Sequence, residues 1–222
     1  MPAASTEQSA NLLPSESENE VSPEGVRRRA TAPRNAMHPG AVLAFVALGS
    51  NLHNPRRQVE CALGALARLP ACRLIWQSSL YLSAPVGGVA QPPFINAVAA
   101  LWTRLAAEEL LASLHTLEHN AGRRRAEESY WGPRILDLDL LSHGARELAH
   151  PDLTLPHPRL HERAFVLLPL SEYDPDWNIP GKGPLSHFLP GVADQPILRL
   201  RPGDDRDLAG IRLRAPCGDA ER

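Results

Sequence analysis

One short run, Trp131-Gly132-Pro133-Arg134-Ile135-Leu136-Asp137-Leu138-Asp139, constrains this chain more than any other stretch. Glycine is conformationally permissive and proline has no N–H to give a ladder, so a turn ends at Gly132-Pro133. A strand is expected after it, carrying Ile135, Leu136, Leu138, Leu140 and Leu141. Side chains two apart on a strand share a face, which sets Asp137 and Asp139 side by side, roughly 6 to 7 Å apart along the backbone. Read as the wet side of a half-buried strand, the pair is unremarked but costly: aspartate is a poor strand former and like charges on one face repel. A hard cation such as Mg²⁺ removes the repulsion and leaves positions for substrate oxygens. Upstream, Gly122-Arg123-Arg124-Arg125 supplies forked donors suited to a polyphosphate, although a solvated loop after a helix C-terminus would also favour positive charge.

Composition permits one domain with tails. The 222 residues are 43% hydrophobic and carry a net charge of −2, enough apolar content for a core and too little positive charge for an extended nucleic-acid surface. Lys182 is the only lysine, so anion binding falls to arginines. Cys61, Cys72 and Cys217 form no paired spacing, which argues against a disulfide framework or a zinc site and fits a reducing cytoplasm. Apolar runs such as 42–48 have strand length, far short of the ~20 residues of a membrane helix. Residues 1–40 are rich in Ser, Glu, Pro and Ala and are expected to be a disordered extension, with Met37 offering a second start for the domain. Residues 41–200 form the expected domain and 201–222 a loose tail.

Within that domain the hydrophobic period switches repeatedly. Strand 43–48 precedes a helix opened by Pro55 and running to about Arg68, with Val59, Leu63, Leu66 and Leu69 inward. Strands over 73–82 and 94–104 flank the Ala84-Pro85-Val86-Gly87-Gly88 loop. A helix over 107–120 turns Leu110, Leu111, Leu114 and Leu117 to the core and stops at Gly122. Strand 135–141 completes β-α-β-β-α-β, an α+β, ferredoxin-like order, followed by a short strand and helix within 153–170.

Several further motifs stand in order around these elements: Ala47-Leu48-Gly49-Ser50-Asn51, Gln91-Pro92-Pro93-Phe94-Ile95-Asn96-Ala97, Glu118, Gly122-Arg123, and Leu155-Pro156-His157-Pro158-Arg159-Leu160 with Glu162-Arg163-Ala164-Phe165. With the 131–139 run they span about residues 43 to 180. Together they closely resemble the hydroxymethyl-dihydropterin pyrophosphokinases, folate-pathway enzymes that move the terminal diphosphate of ATP onto a pterin alcohol.

The resemblance implies the same fold and a monomer acting on small molecules, with neither nucleic acid nor membrane as partner. It implies that Asp137 and Asp139 hold two Mg²⁺ ions bridging the phosphates of the co-substrate ATP, with either carboxylate open as proton relay. Arg123 and Arg134 match the catalytic arginines. ATP contacts fall on Glu118, Arg125, Arg134, Leu140, Thr154, His157 and Arg163; Arg124 has no assigned role. Phe94 and Phe165, core residues by default, become the two faces of a pterin sandwich, with Asn96 reading the ring edge. Ser83, Ala84 and Val86 contribute backbone, and Trp131 closes over the site. Family members commonly carry Thr-Pro in place of Ser83-Ala84 and an aromatic at Pro158, and one more residue separates Gly122-Arg123 from Trp131 here than in one member of the family, which leaves the register of 124–130 open.

Two other readings compete. The β-α-β-β-α-β order also describes RNA-recognition domains, which need aromatics on an open sheet face. A D-x-D nucleotide-sugar transferase needs a larger parallel sheet than this chain can supply.

Overall fold

The computed structural model describes residues 40–86, 90–124 and 132–201. The expected N-terminal extension with Met37, the tail beyond residue 201, Arg125 and Trp131 lie outside the described residues.

Strand β1 (Val42–Ser50) is apolar on both faces because both are covered. Ala44, Val46 and Leu48 point into one core, while Phe45 and Ala47 point into a second on the opposite side. Antiparallel neighbours flank it: β4 (Phe94–Thr103) on one edge and β5 (Asp137–His143) on the other. Strand β2 (Cys72–Gln77) and the short β3 (Tyr81–Ser83) both pair with β4, and β10 (Ile197–Arg199) pairs with β3, giving a six-stranded sheet.

Helices α1 (Pro55–Leu66) and α2 (Ala107–Asn120) pack on the first face. Asn54, in the left-handed region at φ 61°, caps α1 by accepting from the Arg57 N–H at 3.3 Å, and Pro55 fills the first turn where no N–H is needed. On α2, the Glu109 carboxylate reaches back to the Ala106 N–H at 2.8 Å, one half of a capping box, since alanine cannot return the bond. The buried stripe of α2 runs Ala107, Leu110, Leu114, Glu118, so helical spacing delivers a carboxylate to the core face one turn after Leu114.

Helix α3 (Ala164–Ser171) covers the second face and is apolar all round, as a helix enclosed by sheet and loops must be. Of two small hairpins, β6 (Leu148–His150) with β7 (Leu153–Leu155) packs Leu148, Leu153 and Leu155 on the first core, whereas β8 (Asn178–Ile179) with β9 (Gly183–Pro184) sends Ile179 into the second. Phe45 is packed edge-on by Tyr173 and Trp177, with ring centroids 5.0 and 4.8 Å away. An RNA-recognition domain needs an open aromatic sheet face, and this packing closes it.

Some boundaries differ from those read in the sequence. The single strand expected over 73–82 is two, because Ser78 turns inward and its hydroxyl accepts from the Val98 N–H at 3.0 Å. The final core strand begins at Asp137 rather than Ile135, since Arg134 is drawn away to pair with Asn51. β8, β9 and β10 were not expected: strands of two or three residues carry no readable period. Among the described residues no helix is long and apolar enough to cross a membrane, and Cys61 and Cys72 are free thiols.

Candidate active site

A cavity of about 340 Å³ opens on the second face of the sheet, where α3 begins and the Asp137–Asp139 end of β5 is left uncovered. Alternation on β5 explains its floor: Leu136, Leu138 and Leu140 sink into the first core, so Asp137 and Asp139 face the other way. The register places Asp137, Gly49 and Asn96 on one rung across β5, β1 and β4, with Ala47 beside Asp139 on the next. Neighbouring strands lie about 5 Å apart, so the Asp137 and Asn96 backbones stand some 10 Å apart with only a glycine between them. A Cβ on Gly49 would meet Asn96 Oδ1 at 3.3 Å and come within 3.9 Å of Phe94 and Asp137. The missing side chain is the space.

One end of the cavity is charged. Asp137 accepts from Arg134 and from Arg123, and Arg123 also pairs with Glu118. Burial works to raise the Asp137 carboxyl, but the Arg134 and Arg123 guanidiniums outweigh it and hold it below the usual carboxylate range. Asp139 has no such partners. Burial, then the charge of Asp137, push it up to about 6; the Arg163 Nη1 cation lies 3.6 Å from it and His157 Nε2 4.0 Å. Desolvation and the Arg163 charge pull His157 down to about 4, so its imidazole is neutral. His157 Nδ1 accepts from the Arg159 N–H at 3.2 Å, which assigns the ring proton to Nε2, the nitrogen nearer Asp139. Among the described residues the buried Nε atoms of Arg134 and Arg163 find no hydrogen-bond partner, leaving donors beside the carboxylates.

The other end is a slot. Phe94 and Phe165 line it with Ser83, Ala84 and Val86, and the Arg163 guanidinium lies 5.4 Å from the Phe165 ring centroid. Asn96 donates to Ser83 Oγ at 2.9 Å and turns its Oδ1 toward Gly49. Asp137, Asp139, Arg134, His157, Arg163, Phe94, Phe165, Asn96, Ser83, Ala84 and Val86 therefore meet in one cavity.

Other expected residues sit elsewhere. Arg123 is buried behind Asp137, and Glu118 lies beneath it, accepting from the Leu138 N–H at 2.8 Å. Leu140 belongs to the first core, and Thr154 is exposed on the β6–β7 hairpin, its hydroxyl donating to the His150 carbonyl at 3.4 Å.

Asn51 stands at the end of the Ala47–Asn51 motif, where the sequence alone assigns it no role. Its buried carboxamide accepts from the Arg134 N–H at 2.7 Å and donates to Gln91 Oε1 and the Pro92 carbonyl, both at 3.0 Å. It thereby ties the arginine loop to the loop that leads into Phe94. A signal existed, because a polar residue closing an apolar strand has to bond something; its partners, 40 and 83 residues away, were not readable.

Two carboxylates on one face, one without a hydrogen-bond partner among the described residues and pushed up by burial and by its neighbour's charge, fit a hard divalent cation that completes its shell with phosphate and water. Among the described residues no group of three metal-ligating side chains gathers.

Comparison with known proteins gives the family. Residues 45–175 match the family model of 7,8-dihydro-6-hydroxymethylpterin-pyrophosphokinase (HPPK). A 2-amino-4-hydroxy-6-hydroxymethyldihydropteridine pyrophosphokinase from Pseudomonas aeruginosa is 46% identical over 156 residues, covering 70% of this chain and 95% of the relative. The enzyme of the same name from Haemophilus influenzae is 38% identical, covering 72% and 99%. Among solved structures, wild-type Plasmodium falciparum HPPK-DHPS with pterin and p-hydroxybenzoate superposes with a TM-score of 0.52 at 13% identity, over 69% of this chain and 43% of that longer one. That likeness speaks for the fold alone. With the family match spanning more than half of the sequence, the chain belongs to the 7,8-dihydro-6-hydroxymethylpterin pyrophosphokinases, a family of diphosphotransferases.

Proposed function

We propose that the chain transfers the terminal diphosphate of ATP to the hydroxymethyl group of 6-hydroxymethyl-7,8-dihydropterin, releasing AMP, as a step of folate biosynthesis. The carrying observation is the rung Asp137–Gly49–Asn96, which joins a charged pocket to an aromatic slot inside one cavity. A flat ring between Phe94 and Phe165, its edge on Asn96 and on backbone near Ser83, Ala84 and Val86, would aim its substituent along Gly49 toward the carboxylates. Diphosphate transfer asks mainly for positioning and charge neutralisation, and both are available here.

Arg134 is partly exposed and holds Asp137 at the cavity wall, so it is free to exchange that carboxylate for phosphate oxygens. Arg163 and His157 approach from the α3 side as nucleotide contacts, His157 as a neutral Nε2 donor. Arg123 acts from behind, its charge shared between Glu118 and Asp137. Two Mg²⁺ ions on Asp137 and Asp139 would neutralise the phosphates and lower the pKa of the attacking hydroxyl. Asp139, with no hydrogen bond to hold it among the described residues, is the carboxylate better placed to take the hydroxyl proton. Glu118, Leu140 and Thr154 line no part of the cavity, so any nucleotide contact they make needs movement of the neighbouring loops.

The order β5-β1-β4-β2, antiparallel throughout with α1 and α2 on one face, supports a ferredoxin-like β-α-β-β-α-β core, to which residues 144–200 add a cover. The proposal includes a monomer working in the cytoplasm. Incubation with ATP, Mg²⁺ and 6-hydroxymethyl-7,8-dihydropterin tests the reaction: AMP with pterin diphosphate is the expected product pair. Release of ADP would mean a single-phosphate kinase and overturn the reading.

A further inference from the structure

Helix α3 starts without a cap of its own, because Arg163 at the N-cap position makes no side-chain bond to the first turn. The acceptor comes from 31 residues downstream: Gln195 Oε1 accepts from the Ala164 N–H at 2.9 Å. Gln195 Nε2 donates to the Glu162 carbonyl at 2.7 Å. One carboxamide thus brackets Arg163 on both sides and sets the turn that sends Arg163 and Phe165 into the cavity. The residues that follow hold the opposite wall. The Pro196 carbonyl accepts from the Ala84 N–H at 3.2 Å, and Ile197 pairs with Ser83. Gln195 lies outside the 45–175 segment matched by the family model, and it borders the cavity without lining it.

We propose that Gln195 is a positioning residue for substrate binding, fixing Arg163 against the nucleotide and Phe165 against the ring while its chain neighbours fix Ser83 and Ala84 across the gap. The physical reason is the backbone it holds. An uncapped first turn frays, and fraying here would move together a cation and an aromatic that line one cavity. This role rests on the proposed function.

The test compares wild type, Gln195→Ala and Arg199→Ala. Arg199 anchors the same terminal segment through Glu172 at 3.1 Å and Ser79 at 2.8 Å, away from either wall, and serves as the control for general loss of stability. Calorimetric titration with a non-hydrolysable ATP analogue, then with pterin, is read beside kcat, both KM values and Tm. Gln195→Ala is expected to weaken both ligands by about two- to thirty-fold, the range of an ordinary lost cap falling on binding, and to raise both KM values more than it lowers kcat. Arg199→Ala is expected to lower Tm with both affinities near wild type. Gln195→Glu keeps the acceptor for Ala164 and loses only the donor, so it is expected to fall between, and it stands in if Gln195→Ala does not fold. Wild-type affinities in Gln195→Ala, or equal losses in Gln195→Ala and Arg199→Ala, overturn the positioning role. A wild-type protein that releases no AMP removes the functional reading itself, and this role with it.

Discussion

Asn51 and Arg134 hold each other twice: the Asn51 N–H donates to the Arg134 carbonyl at 3.0 Å, and the Arg134 N–H donates to the Asn51 carboxamide oxygen at 2.7 Å. The turn at Gly132-Pro133 is thereby fastened to the end of β1, and the Arg134 guanidinium leaves it already aimed at Asp137.

Removing that clamp should cost function more than fold. Asn51→Ala deletes three side-chain bonds and leaves the Arg134 N–H and Gln91 without them, a loss of about 1–3 kcal/mol in stability. Displacing Arg134 by about 1 Å should lower kcat on the order of 100-fold. Urea unfolding with steady-state AMP release measures both. Wild-type kcat in a folded Asn51→Ala protein would show that Arg134 needs no clamp.

Alanine at the two carboxylates should abolish turnover alike yet affect stability in opposite directions. Asp137→Ala strips Arg123 and Arg134 of their shared counter-charge and should destabilise by about 2 kcal/mol. Asp139→Ala removes an unfavourable charge and should be neutral or stabilising in EDTA. Activity across a Mg²⁺ titration and thermal melts decide it; turnover at ordinary Mg²⁺ in either variant would defeat the shared metal site.

Acidity adds a separate signature. The folded Asp139 carboxyl is raised to about 6, against an unfolded value of ~3.9, so between those values the folded chain binds more protons than the unfolded chain. Its contribution therefore favours folding below about pH 4 and is lost as pH rises through about 6. In EDTA at about pH 7, Asp139→Asn should be more stable than wild type by on the order of 1 kcal/mol, allowing for screening of a carboxylate one-third exposed. The gap should close towards pH 4. Equal melts at pH 7 would contradict the raised value.

The aromatic slot is tested by truncation. Phe94→Ala and Phe165→Ala should each weaken pterin binding by about 1–3 kcal/mol, the value of one ring stacking on a base-like ring. ATP-analogue affinity should hold in Phe94→Ala and fall slightly in Phe165→Ala, because Arg163 rests against that ring. Calorimetric titration separates the two ligands. Unchanged pterin affinity in both variants would make these rings ordinary wall residues.

Local pattern alone determined a good deal of this protein. The period of Leu110, Leu114 and their neighbours gave α2 its bounds, and the Gly-Pro turn with alternating leucines put Asp137 and Asp139 on one face. Each depends on residues a few positions apart, whose spacing sets their direction. Tertiary structure decided the rest. It made Gly49 the gap between Asp137 and Asn96, set Asn51 against Arg134 and Gln91, and brought Gln195 to cap a helix 31 residues earlier. It also separated two aspartates of identical local pattern, giving one a pair of guanidiniums and leaving the other raised by burial and its neighbour's charge. Register, burial and electrostatics join positions distant along the chain, so they exist only once the strands have paired.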